Sequence, residues 1–233
     1  MLDITEKYEA EQMRREFTAN VSHELKTPLT SISGYAELMQ SGTVPAADMV
    51  GFAARIHEES TRLISFVQDI LALSKLDEAK ELVFEEVDFY MVAKESIAAF
   101  MYLAEEKGLS LSFKGIPCRI LGNPLVLREM IDNLIDNAIK YTPEKGSISV
   151  SLQKQNGKLA FSVSDTGIGI PLGEQEKVFH RFYRVEKSHD KKTGGTGLGL
   201  AIVKHGAALH HADVFLESTP YMGTIITLLF STL

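Results

Sequence analysis

The chain has 233 residues, 45% hydrophobic and 24% charged, a composition that fits one large or two modest globular domains. Its net charge of −7 argues against nucleic acid as a partner, and a single cysteine, Cys118, excludes an internal disulfide framework and fits a reducing compartment. No apolar run approaches a membrane span and no signal-peptide layout opens the chain, so this fragment is expected to make no membrane contact.

Residues 5–40 read as one long helix. At about 100° per residue, Phe17, Val21, Leu25, Leu29, Ile32, Tyr35, Ala36 and Met39 share one broad face. His23 falls on roughly the opposite side, Thr27 lies one turn on, and Glu24 sits at the border of the two faces. Pro28 cannot donate a backbone N–H and crowds the carbonyl of Glu24, which predicts a bend. An exposed imidazole beside a carboxylate and a hydroxyl is a reactive constellation; the plain alternative is a solvent-facing His on an amphipathic helix. Ser41–Pro45 breaks the pattern, and a second helix is predicted over 46–77. Two long amphipathic helices joined by a short turn make an antiparallel hairpin that leaves an apolar face in water. Pairing with a second copy would cover it, so a homodimeric four-helix bundle is expected.

The polar stretch 78–82 reads as a linker, and the pattern after it becomes mixed α and β. A strand over 82–87 precedes a helix over 89–107 that ends at Gly108. Strands are expected over 109–113 and 119–121. Asn123-Pro124 starts a helix that runs to Tyr141, with Asn as N-cap and Pro at the first position. Strands over 147–153 and 159–164 flank Asn156-Gly157, a hairpin signal. The long segment 165–195 suggests a lid or binding loop. A helix over 197–209 and strands over 213–218 and 224–230 close the chain.

On the helix 124–141, Asn133, Asn137, Lys140 and Tyr141 share one face, and Leu127, Ile131, Leu134 and Ala138 form the neighbouring apolar face. Asn is a poor choice for a merely solvated face. Paired amides supply carbonyl oxygens for a hard cation, and Lys a point charge for phosphate; a polar solvent side is the alternative. Asp165-Thr166-Gly167-Ile168-Gly169-Ile170 follows a strand, where glycines admit a close ligand and Asp165 could accept from an exocyclic amine such as adenine's. Gly194–Leu200 sits at a helix start, where free N–H groups favour phosphate. It matches neither a Walker loop nor a Rossmann fingerprint. Lys177, Arg181, Arg184, Lys187, Lys191 and Lys192 lie between the two glycine clusters and suggest triphosphate neutralisation, or else a solvated loop. Phe179 and Phe182 would pin that loop to an apolar surface. His57, His205, His210 and His211 lack partners at metal-ligand spacing.

The ordered set resembles the bacterial sensor histidine kinases over about residues 12–230. Ser22-His23-Glu24-Leu25-Lys26-Thr27-Pro28-Leu29 is similar to their phosphoacceptor box, and Asn133–Tyr141 to their asparagine box. Asp165–Pro171 resembles the first glycine box, Val178–Arg184 the phenylalanine box and Gly194–Leu200 the second glycine box. The tail is most similar to the phosphate-sensing and cell-wall-sensing branches. The resemblance implies an α+β, two-domain fold: a dimeric helical hairpin, then an α/β sandwich shared with gyrase and the Hsp90 chaperones. The implied organisation is 1–16 as a signal-transmitting coiled-coil helix, 17–77 as dimerisation and phosphotransfer domain, 78–82 as linker and 83–233 as the ATP-binding domain.

The resemblance further implies that His23 attacks the γ-phosphorus of ATP, that Glu24 is its general base, and that Thr27 orients water when a response regulator receiver domain is dephosphorylated. Asn133 and Asn137 would hold Mg²⁺, Lys140 would touch phosphate, Tyr141 would flank the base, and Asp165 would bond the adenine amine. Gly167 and Gly169 would admit the nucleotide. Arg181, Gly195, Thr196, Gly197, Leu198 and Gly199 would complete the nucleotide site. Positioning and charge neutralisation carry such a transfer, so domain closure belongs to catalysis. Asp3-Ile4-Thr5-Glu6 resembles the exit of a PAS sensor domain, which implies a cytoplasmic fragment of a protein whose sensor and membrane anchor lie upstream. Three places depart from the family: His180 where an acidic residue is common, Leu209-His210-His211-Ala212, and Tyr221-Met222-Gly223-Thr224. Two other readings compete. A catalytically weak dimeric scaffold could only dock a regulator. An ATPase of the gyrase or chaperone type would need a Glu base where Asn133 stands.

Overall fold

The computed structural model describes residues 2–77, 82–185 and 195–231. They form two compact units, Met1–Gln68 and Asp69–Leu233.

In the first unit, helix α1 spans Leu2–Gln40 and continues through Pro28 as a single helix. Hydroxyls around the proline fold back on the helix: Ser22 Oγ donates to the Thr18 carbonyl at 2.8 Å and Thr30 Oγ1 to that of Lys26 at 2.8 Å. Helix α2 spans Met49–Asp77, three residues later than its expected start at 46. The turn takes up the difference, with Gly42 at φ 71° and the Asp48 N–H on the Pro45 carbonyl at 2.9 Å. The hairpin closes where Tyr35 of α1 meets Phe52 of α2 edge-on, with ring centroids 5.5 Å apart.

The second unit begins with the last turns of α2. Strand β1 (Glu85–Asp88) pairs antiparallel with β3 (Arg119–Gly122). It starts later than the expected 82–87, because Glu85 is the first residue that finds a partner, Gly122. Helix α3 (Phe89–Glu106) is capped by Asp88, whose side chain accepts from the Met91 N–H. It ends as expected at Gly108, which adopts φ 70° and donates to the Glu105 carbonyl at 2.8 Å. Strand β2 (Ser110–Gly115) follows. Helix α4 spans Pro124–Tyr141, as its cap signals predict: Asn123 Oδ1 accepts from the N–H groups of Leu125 and Val126. Strands β4 (Ser147–Gln155) and β5 (Lys158–Asp165) are joined by Asn156 and Gly157 at φ 50° and 78°, the left-handed pair a tight hairpin requires. Helix α5 (Gly199–Leu209) and strands β6 (Asp213–Thr219) and β7 (Gly223–Ser231) complete the unit.

The main sheet has the order β2-β4-β5-β7-β6, parallel between β2 and β4 and antiparallel elsewhere. Its two faces differ in chemistry. Leu152, Phe161 and Leu228 are cross-strand neighbours on a buried face that joins the core of α3, α4 and α5. Ser151, Ser162 and Thr227 form the next rung on the opposite face, where Ser162 and Thr227 share a hydroxyl hydrogen bond of 2.8 Å. A mostly antiparallel sheet tolerates one polar face, so two layers suffice. Leu127, Ile131, Leu134 and Ala138, the apolar face read from the sequence of α4, are all buried. At about 1.5–3 kcal/mol per large apolar side chain, that stripe holds α4 on the sheet and aims its other face outward.

Candidate functional site

The outward face of α4 carries Asn133, Asn137, Lys140 and Tyr141, all half-buried. Asn133 Nδ2 donates to the Glu129 carbonyl at 2.9 Å and reaches Glu129 Oε1 at 3.4 Å. That fixes the amide by its nitrogen and leaves the oxygen as the ligating end. Lys140 Nζ lies 2.6 Å from Asp136 one turn earlier, so its charge faces a carboxylate on the same helix. Burial pushes the Glu129 carboxyl above its usual range, and neighbouring Asp132 and Asp69 push the same way.

The loop after β5 meets the C-terminal end of α4. The Ile168 N–H donates to the Tyr141 carbonyl at 3.1 Å, and the Gly167 N–H to Asp165 Oδ1 at 2.7 Å. A Cβ at Gly167 would stand 2.6 Å from both Asp165 Oδ1 and the Tyr141 carbonyl, so only glycine lets these groups converge. Gly169, at φ 65°, lies against the Thr219 carbonyl, which a Cβ would also strike. Burial raises the Asp165 pKa, against the N–H groups of Gly167 and Thr224 that favour its carboxylate.

The start of α5 faces the same helix. A Cβ at Gly199 would come within 2.6 Å of Asn133 Oδ1 and 3.4 Å of Asn137 Nδ2. Gly195, Thr196, Gly197 and buried Leu198 lead into it, and the Leu198 N–H donates to Thr196 Oγ1 at 3.2 Å. The first N–H groups of a helix have no partner within it and suit phosphate. Gly197, at φ 71°, accepts from the Phe182 N–H at 2.8 Å, and a Cβ there would meet the Phe182 backbone. This joins the phenylalanine stretch to the second glycine stretch. Half-buried Phe179 packs toward α5, with Lys204 Nζ 5.9 Å over its ring. Lys187, Lys191, Lys192 and Gly194 lie outside the described residues.

The second unit therefore brings together Asn133, Asn137, Lys140, Tyr141, Asp165, Gly167, Gly169 and 195–199. Arg181, the remaining residue expected at the nucleotide, meets a carboxylate. Its Nη1 and Nη2 donate to the Asp77 carboxylate at 3.1 and 2.7 Å. Within the first unit, His23 and Thr27 are exposed and Glu24 half-buried, the order read from the helical wheel. Thr27 Oγ1 donates to the His23 carbonyl at 3.3 Å, while Pro28 is buried.

The residues fit a nucleotide with a hard cation. Glycines line the approach where a Cβ would collide, a desolvated carboxylate sits beside the Tyr141 end of α4, and the Asn133 amide oxygen rather than a carboxylate cage faces the helix start. Three polar residues of this region, Glu129, Asp69 and Asp77, carried no signal of their own in the sequence. Glu129 anchors Asn133. Asp69 accepts from Thr196 Oγ1 at 2.6 Å, and Asp77 holds Arg181 and stands 3.4 Å from His205 Nδ1. His210, in one of the departures from the family, donates from Nδ1 to the Gly206 carbonyl at 2.7 Å, and its Nε2 accepts the Asn123 N–H at 3.0 Å. Burial lowers its pKa. His211 takes the φ of 51° that a glycine would take more cheaply.

Residues 13–79 match the His Kinase A (phospho-acceptor) domain, and residues 122–232 match the Histidine kinase-, DNA gyrase B-, and HSP90-like ATPase. The chain belongs to the sensor histidine kinases, which join these two domains. It is 39% identical over 228 residues to the sensor-like histidine kinase SenX3 of Mycolicibacterium smegmatis, a match covering 97% of this chain and 59% of that one. It thus spans about three fifths of that relative's length. Among solved structures, histidine kinase ThkA in complex with response regulator protein TrrA superposes with a TM-score of 0.75 at 25% identity, over 97% of this chain and 66% of ThkA. Full-length ShkA in complex with AMPPNP gives 0.66 at 28% identity, over 94% of this chain and 46% of ShkA. Among the described residues, no helix is long and apolar enough to cross a membrane.

Proposed function

We propose that the chain is the catalytic core of a two-component sensor histidine kinase, which phosphorylates itself on His23 with ATP and passes the phosphoryl group to an aspartate of a response regulator receiver domain. The observation that carries this reading is the convergence of Asn133, Asp165, Gly167 and Gly199 on α4, together with an exposed His23 that has a carboxylate as its chain neighbour.

In the first step a ring nitrogen of His23 forms a bond to the γ-phosphorus. The bond from that phosphorus to the β,γ-bridging oxygen breaks, and ADP leaves with the electron pair. Glu24 takes the proton from the other ring nitrogen, which keeps the attacking lone pair available. Asp165 accepts from the adenine amine, Tyr141 flanks the base, and glycines 167 and 169 let the backbone approach it. Asn133 and Asn137 would hold Mg²⁺, which when bound would neutralise phosphate charge. The N–H groups from Gly195 to Gly199 face the phosphates, and Lys140 turns from Asp136 toward them.

The same reading assigns Thr27 to positioning water when the regulator is dephosphorylated, and its exposed hydroxyl supports that. It also assigns a homodimer. Leu29, Leu38 and Val50 are 51%, 48% and 79% exposed, too much apolar surface for a hairpin meant to stand alone. Residues 1–16 then act as the signal-bearing helix, 17–77 as the phosphotransfer domain and 83–233 as the ATP-binding domain of a protein anchored in the membrane upstream. ThkA in complex with a regulator and ShkA in complex with AMPPNP support both the partner and the nucleotide.

Incubation of the chain with γ-labelled ATP and Mg²⁺ tests the reading. Acid-labile, base-stable label that disappears in His23→Gln is expected. Label of undiminished amount in that variant would overturn the assignment.

A further inference from the structure

The last two turns of α2 are fastened to the nucleotide region at two points. Asp69 accepts from Thr196 Oγ1 at 2.6 Å, and the same hydroxyl accepts the Leu198 N–H that leads into α5. Asp77, eight residues and about 12 Å of helical rise later, takes both terminal nitrogens of Arg181 at 2.7 and 3.1 Å. It also stands 3.4 Å from His205 on the outer part of α5. The two aspartates therefore hold one residue before the phosphate-facing glycines, Arg181, and one among them, Thr196.

The Asp77 fork spends the donors a phosphate would need. An Arg–carboxylate pair with two parallel hydrogen bonds satisfies the guanidinium in the same planar geometry that it offers to a phosphate. Both side chains of this pair are more than a third exposed, so the pair is within reach of a competing anion. We infer that Asp77 competes with the nucleotide's phosphates for Arg181, so that the end of α2 weakens triphosphate binding whenever it holds that residue. This makes Asp77 a positioning residue, acting through Arg181, and it places a control on nucleotide affinity at the C-terminal end of α2. The inference rests on the reading of Arg181 as a phosphate contact in an ATP site.

The test measures equilibrium binding of ATP with Mg²⁺, and of adenosine, to the whole chain. Asp77→Asn is expected to tighten ATP roughly threefold, the scale of a partly exposed ion pair, and to leave adenosine unchanged. Arg181→Ala is expected to weaken ATP and to erase the effect of Asp77→Asn when the two are combined. Asp77→Ser repeats the test with a smaller side chain, in case the Asn variant folds poorly. Unchanged or weaker ATP binding in both Asp77 variants would overturn the inference, as would an equal gain for adenosine or a gain that survives Arg181→Ala. A wild-type chain that binds no ATP would overturn the nucleotide site itself, and this inference with it.

Discussion

Leu29 lies on the apolar stripe of α1 and is 51% exposed, whereas Leu127 lies on the apolar stripe of α4 and is 0% exposed. Both helices are amphipathic by the same periodicity, but only α4 has a sheet against which to bury its face. The second unit closes its own core around Phe89, Phe161 and Phe230, whose rings meet edge-on at 5.1–5.7 Å. The first unit keeps its apolar side chains on a hairpin of two helices, which cannot cover them. The difference separates the roles. A self-sufficient core fixes α4, Asp165 and the start of α5, the parts to which the proposed function gives the nucleotide. On the proposed reading, an incomplete core makes the helix that carries His23 dependent on a partner copy.

The core substitution gives the largest expected effect. Phe161→Ala should lower the stability of the second unit by about 3–5 kcal/mol in denaturant unfolding, because it opens a cavity between α3 and the sheet. Leu29→Ala and Val50→Ala together should leave that transition in place. They should instead shift the concentration at which the chain dissociates, read by analytical ultracentrifugation. A fall in the second unit's midpoint on that double substitution would erase the distinction between the units.

Gly169→Ala comes next. Its φ of 65° and the Thr219 carbonyl beside it predict a loss of more than about 1 kcal/mol, with weaker nucleotide binding.

Acid should act on the second unit through His210. Burial lowers its folded pKa below 6.5, so the folded unit binds fewer protons than the unfolded chain in that window. Stability is therefore fully present above pH 6.5 and falls as pH drops below it, by at most about 1.4 kcal/mol per pH unit from this residue. The carboxyls of Asp69, Glu129, Asp132 and Asp165 have raised pKa values and act in the opposite sense, losing stability as pH rises from the carboxylate range. The difference between wild type and His210→Gln in thermal melts across pH 5–7 isolates the histidine; parallel profiles would contradict this assignment.

The smallest effect is expected on α1. Arg15→Ala removes an ion pair with Glu11 that is 78% and 58% exposed, which should change stability by no more than about 0.5 kcal/mol.

What the sequence disclosed follows from how local each signal is. The start of helix α4 was legible to the residue because Asn123 and Pro124 act within one turn of it. The Asn face and the exposed His23 were legible because a helix converts spacing directly into geometry. Asp165 and Gly167 were legible as a pair, since their bond spans two residues. The hold of Asp77 on Arg181 and of Asp69 on Thr196 was not, because the partners lie 104 and 127 residues apart and each aspartate alone reads as a solvated charge. His210 was read as bland for the same reason: its use lies in the Asn123 N–H, 87 residues away. Its neighbour His211 shows that the departure from the family's usual turn is accommodated by backbone, at φ 51°, and not by a change of fold.

In the proposed function the phosphoryl acceptor and the donor site belong to different units, and this division can be tested. It is tested most directly by measuring ATP binding and γ-phosphate labelling side by side on one preparation of His23→Gln and one of Asn137→Ala. His23→Gln is expected to bind ATP as wild type does and to take no label, while Asn137→Ala loses binding with His23 intact. Label on His23→Gln, or loss of ATP binding in that variant, would contradict it.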